Sequence, residues 1–282
     1  MWGNEVTPPL DGDLDALLAR ARGAAASAAA LLLDRPADLQ TESKTTATDA
    51  VTIMDKRSEA LLVELLLAGR ESDGILGEEG SDRAGTSGFR WVIDPIDGTV
   101  NYLYGLPGWS VCVGLEYEGV PIVGVVAVPS HGVTYYAATG RGAFEQRDGA
   151  HEPKRLVPSS VAELAFALTG TGFGYASSRR AGQARVLAHL LPELRDIRRT
   201  GSAAVDICWV AAGQLDAYFE KGLHPWDFTA ASVIAAESGI KLEGLRGASP
   251  NEDLTLAANP ELFSKLHDRL VELQADLEQP PA

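Results

Sequence analysis

The spacing of apolar and polar positions changes several times along the chain, and each change predicts a different element. Apolar residues recur at intervals of three and four over residues 14–34 and again over residues 49–70, which predicts two amphipathic helices. Over residues 90–139 the pattern becomes strand-like, in short apolar runs separated by turn residues. That stretch predicts an antiparallel meander with a hairpin at residues 117–120.

In the second half of the chain, strand-like and helical patterns alternate. Strands are predicted at residues 162–170, 215–220, 240–245 and 254–259, and helices at residues 182–194, 202–213, 226–239 and 260–277. Alternation of this kind favours sheets that are covered by helices. We therefore expect a mixed α+β and α/β fold in two halves. Residues 1–153 would form an N-terminal half around an antiparallel sheet, and residues 154–282 a C-terminal half around a second, helix-covered sheet.

Composition narrows the class of protein. A chain of 282 residues with 45% hydrophobic and 22% charged residues is typical of a globular protein with a sizeable core. The formal net charge of −15 argues against nucleic acid and against an anionic membrane surface as partners. Only two cysteines are present, which excludes a disulfide framework and fits a reducing compartment. The first residues lack a signal-peptide pattern, and the apolar stretch at residues 23–34 is too short to span a bilayer. These features predict a cytoplasmic protein.

Carboxylates stand beside apolar or glycine-rich turns at four places. They are Asp55, the pair Glu78 and Glu79, the pair Asp94 and Asp97, and Asp227. Carboxylates without histidine or cysteine are what hard cations such as Mg²⁺ prefer. Three of the four places also have a purely structural explanation: Asp227 as a helix N-cap, Asp55 as a solvated helix charge, and residues 77–80 as an exposed acidic turn.

The segment Asp-Pro-Ile-Asp-Gly-Thr at residues 94–99 is not explained in that way. Two like charges three residues apart at the end of an apolar run repel each other unless a cation lies between them. Pro95 favours a turn that lets both carboxylates and the Ile96 carbonyl face one point. Gly98 allows close approach of a ligand, and Thr99 begins a short helical run whose free amides suit a phosphate. Together these features predict metal-assisted hydrolysis of a phosphate ester.

These motifs resemble those of the inositol monophosphatase family of Mg²⁺-dependent, lithium-sensitive phosphatases. Its two signatures are matched by WVIDPIDGTVNY at residues 91–102 and by WDFTAASVIAAESG at residues 226–239. Further similarity is carried by residues 44–55, 75–80 and 198–222, within a region of about residues 15 to 272. The resemblance implies a layered αβαβα sandwich of the sugar-phosphatase type, a homodimer, and hydrolysis of a small phosphorylated substrate, myo-inositol 1-phosphate above all.

The resemblance also implies a metal-binding set, most of it in the N-terminal half. Glu78, Asp94 and the Ile96 carbonyl would bind a first Mg²⁺. Asp94, Asp97 and Asp227 would bind a second, and Glu78 would reach a weaker third through water. Two or three Mg²⁺ ions are therefore expected in each site, and Mn²⁺ is an expected substitute.

Catalytic and substrate-binding roles follow from the same resemblance. Thr99, hydrogen-bonded to Asp55, would orient and help deprotonate the attacking water, with Glu78 and Asp94 completing the catalytic set. Lys44 would add a basic group near the loop before Asp55. The substrate would be contacted by Gly98, Thr99, Asp97, Gly201, Ser202, Ala203, Glu220 and Asp227.

Several alternatives stay open on sequence alone. A histidinol-phosphate phosphatase is one, because Glu220 can pair with an amine as well as accept from a polyol. A bisphosphatase acting on fructose 1,6-bisphosphate is another, although no extra cationic pocket is evident and Arg199 is most simply part of a surface strand. The glycine-rich segment at residues 169–174 lacks the third glycine of a dinucleotide-binding loop. A non-catalytic regulatory partner, such as an RNA-polymerase-associated relative, is the alternative outside enzymes.

Overall fold

The computed structural model describes residues 11–43 and 50–277. Its helices are α1 (Asp11–Leu33), α2 (Ile53–Leu67), α3 (Thr99–Tyr104), α4 (Ser177–Leu190), α5 (Ala203–Ala211), α6 (Pro225–Ser238) and α7 (Pro260–Glu272). Its strands are β1 (Glu42–Ser43), β2 (Ala50–Val51), β3 (Gly74–Gly77), β4 (Asp82–Arg83), β5 (Phe89–Asp97), β6 (Ser110–Tyr117), β7 (Val120–Val128), β8 (Val133–Ala138), β9 (Gly142–Arg147), β10 (Lys154–Arg155), β11 (Leu168–Thr171), β12 (Asp196–Arg198), β13 (Ala217–Glu220), β14 (Lys241–Glu243) and β15 (Thr255–Ala258).

The first sheet has eight strands, in the order β10-β9-β8-β7-β6-β5-β3-β4. Strands β5 to β8 are the predicted meander, with antiparallel pairing throughout. The hairpin between β6 and β7 pairs Tyr117 with Val120, as the turn residues indicated. Among the described residues of this sheet, the pairing of β3 with β5 alone is parallel. Helices α1 and α2 cover one face and bury an apolar core against it.

A second sheet of five strands has the order β12-β11-β13-β15-β14 and mixes parallel with antiparallel pairs. Helices α5 and α6 lie between the two sheets, within the apolar cluster that joins them. Helices α4 and α7 pack on the outer face of the second sheet. The layers therefore follow the order αβαβα, and the predicted fold class is confirmed. The division of the chain near residue 153 into two halves stays a prediction.

Helix α1 (Asp11–Leu33) extends well before the apolar stretch at residues 23–34 that the sequence analysis compared with a membrane span. By length and composition alone, the segment Asp13–Leu33 meets the requirements of a membrane span. The expectation that it is too short counted residues 23–34 only and left out the turns before them. The core helix of a soluble protein passes the same test, and one side of α1 buries Leu17, Ala21 and Ala28 in the first core. Its apolar character is explained by that packing.

Two predicted elements differ from the structure. Residues 162–170 do not form one strand, because Leu164–Phe166 is a 3₁₀ turn and strand β11 begins only at Leu168. Helix α2 begins at Ile53, where the Thr52 hydroxyl accepts a hydrogen bond from the Met54 amide and Asp55 accepts from the Thr52 amide. This capping box stops the helix at Thr52. The predicted start at residue 49 lies outside the described residues, as does Lys44.

Helix α6 packs unusually close to the first sheet at a pair of glycines. Gly114 of β6 and Gly124 of β7 face each other across the two strands. A Cβ atom on Gly124 would lie 2.0 Å from the Ala230 carbonyl oxygen, and one on Gly114 would lie 2.8 Å from the Thr229 methyl carbon. Any larger side chain at these two positions would force the helix and the sheet apart, so the glycines set the distance between these layers.

Candidate active site

Three carboxylates meet where the first sheet contacts helix α6. Asp94 and Asp97 lie at the end of β5, and Asp227 lies in the first turn of α6. One carboxylate oxygen from each lies within 4.8 Å of the others, an arrangement that can hold a metal ion. We call these three residues the acidic triad. The sequence motifs that carry it are 130 residues apart, and only the packing of α6 on the first sheet brings them together.

The two aspartates of β5 share a direction because the strand is irregular. In a regular strand, residues three apart point to opposite faces of the sheet. Between Asp94 and Asp97, however, the pairing with β6 shifts by one residue. The Asp94 carboxylate also accepts a hydrogen bond from the Ile96 amide at 2.9 Å, which fixes the turn at Pro95. The shift turns both carboxylates toward Asp227.

Asp227 is not the N-cap of its helix, contrary to the structural explanation considered for it. The N-cap is His224, and the Asp227 carboxylate accepts a hydrogen bond from the His224 amide at 2.7 Å. This contact orders the first turn and holds the side chain on the side of the triad. Asp227 therefore combines helix capping with a position in the acidic cluster.

The electrostatics of the triad favour a cation. Burial raises the pKa of Asp94 well above its usual value, and the charge of Glu78 raises it further. Burial likewise raises the pKa of Asp227. The pKa of Asp97 is raised by burial to about 6, even though hydrogen bonds from Ser202 and the Ala204 amide oppose the shift. Negative charge concentrated in a buried place is relieved by a bound cation.

Glu78 is held near the triad by a buried carboxylate that the sequence did not single out. Glu59 of α2 is 4% exposed and accepts hydrogen bonds from the Glu79 amide at 2.7 Å and from the Ser81 amide at 2.9 Å. These bonds clamp the turn after β3, so the acidic turn is not merely an exposed one. Its periodic position on α2 is the only sequence signal that could have identified Glu59.

Thr99 and Asp55 lie directly below the triad. The Thr99 hydroxyl lies 3.1 Å from an Asp55 carboxylate oxygen and 3.0 Å from the Ile96 carbonyl oxygen, and it can donate its one proton to either. The other Asp55 oxygen accepts from the amide and the hydroxyl of Thr52 at 2.7 Å each. Asp55 is fully buried, so its explanation as a solvated helix charge is wrong. Its place in the structure fits an acceptor that orients the Thr99 hydroxyl.

A cavity of about 660 Å³ opens above the triad. Every predicted site residue except Asp55 lines it. Gly98 precedes α3 with a φ of 92°, which brings its backbone within reach of the segment around Gly201. The Ser202 hydroxyl donates to Asp97 at 2.5 Å and the Ala204 amide donates to the same oxygen at 2.8 Å. Helix α5 is thereby tied to the acidic triad.

Glu220 lines the same cavity as the triad. It accepts a hydrogen bond from the Tyr218 hydroxyl at 2.6 Å. Burial raises the pKa of Glu220 to about 7, whereas the Tyr218 hydrogen bond and the Arg199 charge lower it. Arg199 directly follows β12 and is exposed, as its interpretation as part of a surface strand requires, and it also lines the cavity. Asp206, a buried carboxylate that sequence reasoning did not weigh, lines the cavity too.

The raised pKa of Glu220 predicts a pH-dependent loss of stability. A carboxyl whose pKa is about 7 in the fold and 4.5 in its ordinary state binds more protons when folded, so its contribution to stability falls as pH rises through that window. Without divalent cations, the free energy of unfolding of the wild type should therefore fall between about pH 5 and pH 8 relative to that of Glu220→Gln. Urea unfolding in chelator at both pH values measures the difference. The exposed Glu261→Gln is the control, and parallel behaviour of wild type and Glu220→Gln would contradict the expectation.

Comparisons with known proteins agree with this architecture. The chain matches the model of the inositol monophosphatase family over residues 13–279. It is 44% identical over 231 residues to an inositol-1-monophosphatase from Mycobacterium leprae, covering 79% of each chain. It is 38% identical over 208 residues to a protein named Nus factor SuhB from Pasteurella multocida, covering 73% of this chain and 75% of that one.

A solved structure gives the same result for the fold. The structure of Mycobacterium tuberculosis SuhB superposes with a TM-score of 0.80 at 39% sequence identity, covering 94% of this chain and 99% of that one. The layered arrangement and the elements that carry the acidic triad thus belong to a fold that has been observed experimentally.

Proposed function

Since the chain belongs to the inositol monophosphatase family of metal-dependent phosphatases, we propose that it hydrolyses the phosphomonoester of a small polyol, myo-inositol 1-phosphate in particular, with Mg²⁺ as the cation. The observation that carries this proposal is the convergence of Asp94, Asp97 and Asp227 within 4.8 Å in a cavity that Glu220 also lines. The cavity thus offers both a site for cations and an acceptor for hydroxyl groups.

The donor set fits Mg²⁺. The triad, Glu78 and the Ile96 carbonyl offer oxygen atoms only, and Mg²⁺ binds oxygen ligands. When bound, the cation would polarise the phosphate, stabilise its developing charge and lower the pKa of water. Mn²⁺ accepts the same donors, and two or three ions in each site agree with the number of carboxylates available.

The protein's own residues would then position the reactants. The Asp55 carboxylate holds the Thr99 hydroxyl, which would orient the attacking water and pass its proton toward Asp55. The free amides at Gly98 and Thr99 would bind phosphate oxygens at the start of α3. The backbone of residues 201–203 and the Glu220 carboxylate would contact the alcohol part, with Glu220 accepting from a hydroxyl group. Asp97 keeps its orientation through Ser202 and Ala204.

The experiment that tests the proposal is a substrate panel. Phosphate release should be measured for myo-inositol 1-phosphate, histidinol phosphate and fructose 1,6-bisphosphate, with Mg²⁺ and with chelator. We expect Mg²⁺-dependent release with the highest kcat/KM for the inositol ester, and inhibition by millimolar lithium. A higher kcat/KM for histidinol phosphate would replace the substrate assignment, and release that persists in chelator would contradict the metal assignment.

Two further functions are favoured by specific observations. Arg179 lines the cavity, so a cationic group lies there for the second phosphate of a bisphosphate; Lys221 lines it too, but its ammonium group donates to the Asp276 carbonyl at 2.6 Å. The name Nus factor SuhB of the Pasteurella multocida relative suggests a regulatory role beside or in place of catalysis. The panel addresses the first, and retention of full phosphatase activity argues against replacement of catalysis by regulation. A homodimer and a cytoplasmic location remain part of the proposal.

Glu59 provides a prediction about the metal site. Glutamine at this position keeps only one acceptor oxygen, and its NH₂ group would face one of the two backbone amides that Glu59 now accepts from. Because one of these hydrogen bonds is lost, the turn that carries Glu78 should become less ordered. We expect Glu59→Gln to weaken Mg²⁺ affinity by roughly 10- to 100-fold, as is typical when a group that supports metal ligands is lost.

Isothermal titration with Mg²⁺ measures this effect. The neighbouring Glu79→Gln removes a charge from the same turn and leaves the acceptor of its backbone amide in place, so it is the matched control. Equal affinities of Glu59→Gln and wild type would rule out the support by Glu59.

A further inference from the structure

Asp206 is a buried carboxylate with an unsatisfied oxygen. It lies on α5 and is 1% exposed, and within the described residues its Oδ1 atom has no hydrogen-bond partner. Leaving a buried carboxylate oxygen unpaired is unfavourable. Because Asp206 lines the cavity, the missing donor can be supplied from that side.

Arg199 is a candidate donor for Asp206, because both residues line the same cavity. It is exposed and lines the same cavity, and among residues 11–43 and 50–277 its guanidinium makes no hydrogen bond or ion pair. Its Nη1 atom lies 2.7 Å from the point that a Cβ on Gly201 would occupy, so it extends over the segment proposed to contact the substrate. Burial raises the pKa of Asp206 well above its usual value; a hydrogen bond with the Thr200 side chain opposes that shift, and so, to a smaller extent, does the Arg199 charge. The Arg199 charge therefore acts on Asp206.

The neighbouring arginine is engaged elsewhere. The Arg198 guanidinium donates to the Asp196 carboxylate at 2.6 Å, and Arg198 does not line the cavity. Successive residues at a strand end point to opposite sides, which explains why one arginine faces solvent and the next faces the cavity. The two adjacent arginines, Arg198 and Arg199, thus have separate environments.

We propose that Arg199 closes over the alcohol part of the bound substrate with the Asp206 carboxyl group as its hydrogen-bond acceptor, and that this pair selects alcohols with several hydroxyl groups. The inference rests on the proposed phosphatase function. A guanidinium has five donors in a planar fork, so Arg199 can donate to Asp206 Oδ1 and to substrate oxygens together. Glu220, beside both, accepts from another hydroxyl. Arg199 is a recognition residue and Asp206 is a positioning residue that acts through it.

The test compares two esters that share the phosphate and differ in the alcohol. Myo-inositol 1-phosphate offers hydroxyl groups and a nitrophenyl phosphate offers none. For Arg199→Gln we expect KM to rise roughly 10-fold or more for the inositol ester, the size of a lost charged hydrogen bond, with kcat little changed. KM for the nitrophenyl ester should not change. Arg198→Gln is the matched control and should behave as wild type on both esters.

Asp206→Leu tests the interaction. It keeps roughly the size of the side chain and removes the acceptor oxygen, so it should raise KM for the inositol ester in the wild-type background while adding little to Arg199→Gln, because one interaction is lost in both. Circular dichroism checks that this variant folds; if it does not, the Arg199→Gln result alone decides.

The outcomes separate the two proposals. Identical KM values for Arg199→Gln and Arg198→Gln on the inositol ester, or additive effects of the two cavity variants, would overturn the role of the pair and leave the phosphatase assignment intact. A wild type that releases phosphate from neither ester would overturn the proposed function itself.

Discussion

Replacing Asp94 by asparagine should lower kcat for the proposed phosphatase reaction by at least roughly 100- to 1,000-fold, the range seen when one preorganised electrostatic contact is removed. Asp94 would contact both of the first two cations, so losing its charge weakens both sites at once. The side chain is 1% exposed and asparagine has nearly the same size, so the fold should persist. Steady-state phosphate release with saturating Mg²⁺ measures the loss.

The same variant should behave in the opposite way without metal. Burial and neighbouring negative charge raise the pKa of Asp94, so its ionised form is unfavourable in the metal-free fold. Asp94→Asn removes that repulsion and should raise Tm in chelator, while the further increase that Mg²⁺ gives to the wild type should shrink. The exposed Asp196→Asn serves as the control for a lost surface charge. Full turnover in Asp94→Asn would overturn the metal assignment.

Thr99→Ala should have the second large effect. If its hydroxyl orients the attacking water and relays a proton to Asp55, its removal should lower kcat by roughly 100- to 10,000-fold, as expected for general-base assistance, while KM changes little. Substrate binding would still use the backbone amides at Gly98 and residue 99, which the substitution preserves.

Thr99→Ser separates the hydroxyl from the methyl group. Serine keeps the hydrogen-bond donor toward Asp55 and should recover most of the activity, whereas a packing role of the buried methyl group would leave both variants similarly impaired. Initial rates over a range of substrate concentrations give kcat and KM separately. An unchanged kcat in Thr99→Ala would remove Thr99 from the mechanism.

The part of the fold that the sequence predicts well is the part with regular patterns. Strands β5 to β8 are long, apolar and separated by turn residues, and they pair as the meander requires. Strands β3 and β9 were not predicted. The first is a four-residue segment with glycine at both ends, and the second carries polar residues from Glu145 onward, so neither has the expected period. Both exist because neighbouring strands supply their hydrogen bonds, which is a tertiary effect.

The candidate site shows a similar division. The motif at residues 94–99 indicates a cation site because its two aspartates would otherwise repel each other. The resemblance to the family adds Asp227 to the same set of metal ligands. The supporting residues had no such signal. Glu59 and Asp206 are single acidic residues within helical patterns, and a carboxylate in such a position is usually solvated. Their burial depends on contacts with segments 20 or more residues away, the turn at Glu79 and Ser81 and the strand that carries Gly170, and local sequence does not encode those contacts.

The close approach of α6 to the first sheet also fixes the width of the metal site. Asp94 and Asp97 lie on the sheet and Asp227 lies on the helix. The distance between their carboxylates is therefore set by how closely the helix packs on the sheet. At Gly124 that packing leaves 2.0 Å between a would-be methyl carbon and the Ala230 carbonyl oxygen. A single methyl group at that position would push α6 away from the sheet and so move Asp227 away from Asp94 and Asp97. The spacing of the metal-binding carboxylates thus depends on a glycine that has only hydrogen atoms on its Cα and that contacts neither the ion nor the ester.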